Sequence, residues 1–358
     1  MGFILRKELK YYFKRPLYYI GIVLVIISVF YNVRTYMNIQ YYEQDKEFTE
    51  LSYKKAEDVE IYDGYIPTTK EEQFQKGIDN IYNELVNQMM VDEEVAKKAV
   101  ETIRNQNMDM DQIREYMSQN FNIHNIQPYF INGTNYKLAS VDEVNVYIKE
   151  KLSEERFSQY FGRKFADYMS VSIVFFSMVM LVFLCAKDFE RDMYELLHTK
   201  PIKSYQFIIG KILGGIIAVG IAIVIITSIF DIFLMIHCYQ NNLPGNWLDL
   251  WFYVLVCNIP AVIFISSLYI FITGIFKTSL PTIPIIVLFG IYSNIGKTLE
   301  NGRYEYVQKP LSILTRFPNY FFDTSFNNSM WISQGLLIFI AVVLVGCSIY
   351  LWSRRRLI

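Results

Sequence analysis

Several windows near twenty residues long in this chain carry no ionised side chain, and the charged residues concentrate between them. A hydrocarbon core about 30 Å thick needs a helix of about twenty apolar residues to cross it. Inside that core every backbone polar group must bond within the protein, which leaves helices or a closed barrel. These runs are continuous and show no period-two alternation, so they read as helices. No Pro/Gly/Ser-rich linker or low-complexity tract separates them.

The reading is an all-α polytopic membrane protein with six transmembrane helices. The expected spans are 17–36, 168–186, 205–236, 249–274, 279–296 and 331–352. The third exceeds one bilayer thickness, so its first turns are expected at the membrane surface. Pro260 is an expected kink in the fourth. The first run is too long for a signal peptide and no small-x-small cleavage site follows it, so it is kept as an anchor. Residues 1–16 form a basic amphipathic stretch. Gly2, Leu5, Leu9, Tyr12, Phe13 and Pro16 share one helical face, and Arg6, Lys7, Glu8, Lys10, Lys14 and Arg15 take the rest. That pattern suits an interfacial helix.

The net charge of −1 hides a split. Residues 37–167 carry 15 basic and 25 acidic side chains, a balance of −10, so the remainder is +9. Such a division suits two compartments. Basic residues set orientation. With the N-terminus inside, 1–16, 187–204, 275–278 and 353–358 carry 13 Lys and Arg, against 3 in 237–248 and 298–330. Both termini are therefore expected in the cytoplasm, 37–167 outside the cell, and the chain in the plasma membrane.

The expected extracellular domain is mostly helical. Thr69 and Glu72 form a capping box ahead of an apolar face of Phe74, Ile78, Ile81, Tyr82 and Leu85. Asp92 and Asp109 are further caps, and 122–138 reads as loop or short strand. Ser140 and Glu143 make another capping box. From there an unbroken helix is expected through Tyr147, Leu152, Phe157 and Phe161 into the second span. The four cysteines (Cys185, Cys238, Cys257 and Cys347) lie in or beside apolar runs, so this domain has no disulfide. No metal centre is expected: there is no CxxC, and His124, His198 and His237 are far apart.

Gly290 to Thr298 approximates a phosphate-binding loop, but five residues separate Gly290 from Gly296 where the motif needs four. No true match, no HExxH and no GxSxG occurs, so no catalytic residue is expected. Neither is binding to nucleic acid. The most informative stretch is 187–204. Phe189, Met193, Leu196 and Leu197 recur at helical spacing, with Glu190, Arg191, Asp192 and Glu195 around them, and Pro201 ends the pattern. Such a helix either docks into a groove on a soluble partner or lies on lipid headgroups.

The string Glu190-Arg-Asp192-Met-Tyr-Glu195-Leu-Leu-His-Thr199-Lys-Pro201, followed by Gly210-Lys211, resembles the permeases of the ABC-2 family of ATP-binding-cassette transporters. Arg6-Lys-Glu-Leu-Lys10 and Lys14-Arg-Pro16 are similar to that family's elbow helix. Leu311 to Phe322 resembles its outer hairpin, so 297–330 is expected to be re-entrant. The insert at 37–167 looks like the subset with a large external domain between the first two helices.

The resemblance implies a permease subunit that exports an amphipathic or lipophilic substrate (peptide, lipid or drug) and performs no hydrolysis itself. It pairs with a second permease, identical or different, and with separate ATPase subunits that hold ATP and Mg²⁺. Residues 188–198 become the coupling helix that docks the ATPase, with Phe189, Met193 and Leu197 as packing ridge, Leu196 beside them, and Glu190, Asp192 and Glu195 toward basic groups of the ATPase. Candidate pathway residues are the polar positions in spans: Ser170, Ser172, Ser177, Thr227, Ser228, Asp231, Asn258, Ser266, Ser267 and Thr273. Asp231 stands out as an ionisable residue inside a span. Gly210 and Gly214, four apart, suit a close helix approach. Two other readings stand beside export. One is an ATP-driven transmembrane force transmitter acting through the external domain. The other is a receptor or sensor without transport.

Overall fold

The computed structural model describes residues 2–49, 59–131, 133–186, 202–298, 304–318 and 320–354. They are overwhelmingly helical and divide into two compact units. One comprises residues 41–150 with 298–303, and the other holds the rest of the chain.

The smaller unit starts from capped helices. Helix α3 (Lys70–Asn83) opens on the reciprocal Thr69–Glu72 box, α4 (Glu93–Asn105) on Asp92, and α5 (Met110–Phe121) on an Asp109–Gln112 box. Each cap satisfies first-turn amides that have no intrahelical acceptor. The buried faces meet in one core of Ile78, Ile81, Leu85, Ala96, Ala99, Val100, Ile103, Ile113, Met117, Ile123 and Ile126. The short α6 (Gln127–Ile131) lays Phe130 against Gly77 of α3, where an added Cβ would collide with the ring. Strand β1 (Tyr65–Pro67) pairs antiparallel with β2 (Tyr136–Leu138), Ile66 opposite Lys137. After them comes α7 (Val141–Glu154), entered through the Ser140–Glu143 box.

The larger unit holds α1 (Gly2–Phe13), α2 (Pro16–Val33), α8 (Phe157–Ala186), α9 (Ser204–Gln240), α10 (Trp247–Phe276), α11 (Thr282–Asn294) and α12 (Asn328–Arg354). Among the described residues, five helical segments are long and apolar enough to cross a membrane: 16–38, 157–183, 204–240, 247–276 and 328–354. The expected fifth span corresponds to α11, whose 13 residues reach about 20 Å at 1.5 Å per residue. Central α10 packs against α8, α9 and α12, while α2 lies on α8 and α1 on α9. Apolar burial does not drive helices together in lipid, so packing and interhelical hydrogen bonds must. Tyr18 donates to the Ala218 carbonyl at 2.7 Å and Tyr269 to Met178 at 2.7 Å. Ser279 donates to Val182 at 3.1 Å.

Two expectations are corrected. The helix from Ser140 does not run unbroken into the second span: α7 ends at Glu154 and α8 begins at Phe157. The Phe157 amide donates to Pro244 at 3.0 Å and the Arg156 amide to the Gln159 side chain at 3.1 Å, so α8 has its own start. In α1, Glu8 does not share the outward polar face with the basic residues. It is buried beside Tyr12 because Lys211 of α9 meets it at 3.1 Å.

Candidate functional site

The bundle buries more polar chemistry than its apolar pattern suggests. The first group lies at the start of α8, where Arg163, Lys164 and Asp167 are all buried. Arg163 reaches Glu155, the Thr324 hydroxyl at 3.0 Å and the Tyr253 hydroxyl at 3.1 Å. Lys164 donates to the Phe317 carbonyl at 3.0 Å, and Asp167 accepts the Phe317 amide and pairs with Arg316. Beside them, Arg156 forks onto Asp249 at 2.8 and 2.9 Å. That contact holds the Arg156 guanidinium more firmly protonated than usual. Asp323 is pushed above the ordinary carboxylate range by burial, which Lys151 and Lys164 offset.

These charges clasp an irregular segment, 306–318, into the bundle. Two further helices meet its backbone, and its Thr315 side chain reaches a third. The Ser293 hydroxyl of α11 accepts from Ile313 at 2.9 Å, and Ser333 of α12 accepts from Ser312 at 3.2 Å. Thr315 donates to the Cys257 carbonyl of α10 at 3.4 Å. Arg163, Lys164 and Asp167 were not singled out from sequence because they sit at the seam between a charged segment and an apolar run. The usable signal was their spacing: 163 and 167 are four apart on a helix.

The pathway candidates separate into two kinds. Ser267 donates to Ile263 at 2.8 Å, Thr273 to Tyr269 at 2.6 Å and Ser228 to Val224 at 2.8 Å, each inside its own helix. Such bonds are the ordinary way a hydroxyl is carried in a span. Ser170 bonds to Asp167 and Thr315, and Ser172 pairs with Ser28. The second kind has no such satisfaction. Ser177, Thr227, Ser266 and both amide atoms of Asn258 are buried without a partner, as is Oδ1 of Asp231. Asp231 is 2% exposed, so interfacial solvation does not account for it. The candidates do not converge on one point: Asn258, Ser267 and Thr273 span about 22 Å of α10 at 1.5 Å per residue.

At the opposite end of α8 and α9 lies the segment joining them. The seven expected ATPase-docking residues, Phe189, Glu190, Asp192, Met193, Glu195, Leu196 and Leu197, fall outside the described residues. Both flanks are described, and the N-terminal segment meets each of them, at the elbow after α1 and from α1 itself. Arg15, at the α1–α2 elbow, places its guanidinium 4.0 Å from the Tyr11 ring and 4.1 Å from the Phe183 ring of α8. Glu8 pairs with Lys211, two turns into α9. Gly214 lets α1 approach, since a Cβ there would meet Glu8 Cβ at 2.7 Å. Gly214 thus marks a close crossing of α1 over α9. The role of Glu8 escaped sequence reading because its partner lies two hundred residues away.

Long apolar helices around a clasped irregular segment define a polytopic membrane protein. A family model described as ABC-2 family transporter protein matches residues 16–350. The chain belongs to the ABC-2 transporter family, as its membrane permease component. Neither the curated proteins nor the solved structures give a match to the chain.

Proposed function

We propose that this chain is the permease subunit of an exporter that moves an amphipathic or lipophilic molecule out of the cell, driven by ATP hydrolysed on a separate subunit. Both termini and residues 187–204 face the cytoplasm in this reading, and 37–167 lie outside. Two permeases, identical or different, enclose the pathway. The ATPase holds ATP and Mg²⁺ and grips the amphipathic stretch 188–198 through Phe189, Met193 and Leu197.

The observation that carries the reading is that the N-terminal segment meets both flanks, through Arg15 at the elbow and Glu8 of α1. A coupling segment transmits force only if the helices on both sides of it are held against something firm. Here Arg15 at the elbow stacks on Phe183 ahead of the segment, and Glu8 of α1 pairs with Lys211 after it. ATP-bound and ATP-free partners must also differ in their contacts to the segment for any work to pass.

Force transmission through the external domain is favoured by that unit's independent core. It is disfavoured by the break at residues 155–156, which denies the domain a continuous helical lever from α8.

The test is the purified permease–ATPase complex in proteoliposomes containing a fluorescent phospholipid and, separately, a fluorescent amphipathic peptide. ATP-dependent movement of either supports export. ATP hydrolysis that moves neither, while altering protease access to 41–150, would replace export with force transmission.

A further inference from the structure

Four carboxylates are buried among the described residues: Glu8, Asp167, Asp231 and Asp249. Three face a basic group, namely Lys211, Arg316 and Arg156 respectively. Asp231 does not. Its Oδ2 accepts the Trp251 indole N–H at 3.0 Å, and its Oδ1 has no partner. The charged group acting on it is another acid, Asp249. A carboxylate removed from water without a counter-charge is costly, and in membrane spans such residues mark the path of a charged ligand.

Helix geometry extends the site. Thr227 lies one turn before Asp231 on the same face of α9. On α10, Asn258 follows Trp251 by seven residues, about 20° from the same azimuth at 100° per residue. Consecutive α9 and α10 pack together and run in opposite directions, so both positions lie on the same side of the Asp231–Trp251 bond. The Thr227 hydroxyl and both amide atoms of Asn258, 1% exposed, are unpartnered. The α9–α10 seam thus offers Asp231 Oδ1, Thr227 Oγ1 and Asn258 Oδ1 as acceptors with no protein donor.

The charge excludes an anion. No group of three His, Cys, Asp or Glu able to hold a metal ion occurs among the described residues. A primary ammonium carries one positive charge and three N–H donors, which answers one carboxylate and a short series of neutral oxygens. A quaternary ammonium has no donor. We propose that the α9–α10 seam at Asp231 binds the primary ammonium of an amphiphile, with Thr227 and Asn258 as the next acceptors along the seam. This deepens the export reading on which it rests by naming the head group of the substrate class.

The test uses the full chain in lipid nanodiscs without an ATPase, so its outcome is independent of whether ATP coupling holds. Decylammonium is titrated at constant ionic strength, with decyltrimethylammonium and NaCl as separate arms. Two signals are followed: the thermal unfolding midpoint and indole fluorescence, which Trp251 reports through its bond to Asp231. A saturable response to decylammonium is expected, weakened at least about tenfold in Asp231→Asn, as for lost charge-assisted hydrogen bonds. Asp231→Asn retains an acceptor for Trp251. Thr227→Val, nearly isosteric, is expected to weaken binding less, and gives a second reading should the first variant fold poorly. Equal responses to the quaternary amine, a response to NaCl alone, no saturable response, or an undiminished response in both variants would each overturn the proposal.

Discussion

Lys211 and Glu8 face each other at 3.1 Å across the α1–α9 contact, both side chains almost wholly removed from solvent. This ion pair ties the N-terminal helix to the beginning of α9. Breaking a buried pair from one side strands a charge and costs about 3–5 kcal/mol, whereas replacing both partners with apolar groups is often neutral. Glu8→Gln is therefore expected to lower the thermal unfolding midpoint of the purified chain strongly. Glu8→Leu combined with Lys211→Met should recover most of the loss, measured by fluorescence-detected melting.

Gly214 lies under Glu8, where any side chain would collide with it. Gly214→Val is expected to lift α1 from α9. A cysteine at Tyr12, a residue fully buried in the wild type, should then react with a maleimide probe at least about tenfold faster, as local opening predicts. Gly220 has nothing within reach of an added Cβ, so Gly220→Ala should leave that rate unchanged.

The clasp on residues 306–318 depends on Asp167, which takes the Phe317 amide and faces Arg316. Asp167→Ala is expected to release the segment and strand the Arg316 charge, at a cost of several kcal/mol by the same logic of a broken buried pair. A cysteine at Ser312, buried in the wild type, should become accessible to a water-soluble thiol reagent. Continued protection of Ser312→Cys in that background would remove the clasp from the account.

The smaller unit should respond to pH through Glu72 and Lys137. Lys137 hydrogen bonds to Glu72 at 2.7 Å, and with the Thr69 amide it holds the Glu72 carboxyl below its usual range. The same pair, with Glu143, raises the Lys137 ammonium. A depressed carboxylate contributes stability above its unfolded pKa of about 4.3, and that contribution is lost as pH falls through the lower folded value. A raised lysine contributes below its unfolded pKa of about 10.4 and loses this as pH climbs through the folded value. Glu72→Gln is expected to flatten the acid limb of the unfolding-midpoint profile, and Lys137→Met to flatten both limbs.

What the sequence revealed follows from the range of the interaction involved. Caps at Thr69, Asp92, Asp109 and Ser140 were readable because each cap oxygen and its amide donor lie within three residues. The face Ile78, Ile81 and Leu85 was readable from its period. Five long apolar helices were readable from length and hydropathy, whereas the expected fifth span corresponds to the shorter α11. Glu8 was grouped with the basic polar face because it is charged and its cation lies on a distant helix. The expected helix from Ser140 through Phe161 broke because the period ran on unbroken while Phe157 took its acceptor from Pro244. Thr227, Asp231 and Asn258 were singled out as polar groups in spans. Sequence alone could not separate them from Ser267 and Thr273, which bond within their own helix.

The central claim is that residues 188–198 are the handle by which an ATPase works this permease. The most direct measurement is co-purification: the tagged chain is extracted from its native membranes in mild detergent and its partners are identified. The wild type should carry an ATP-binding-cassette ATPase in near-equal amount. Phe189→Ala with Leu197→Ala should lose it while retaining the wild-type unfolding midpoint. A folded wild-type chain that brings no ATPase, or a double variant that brings as much as the wild type, would contradict the account.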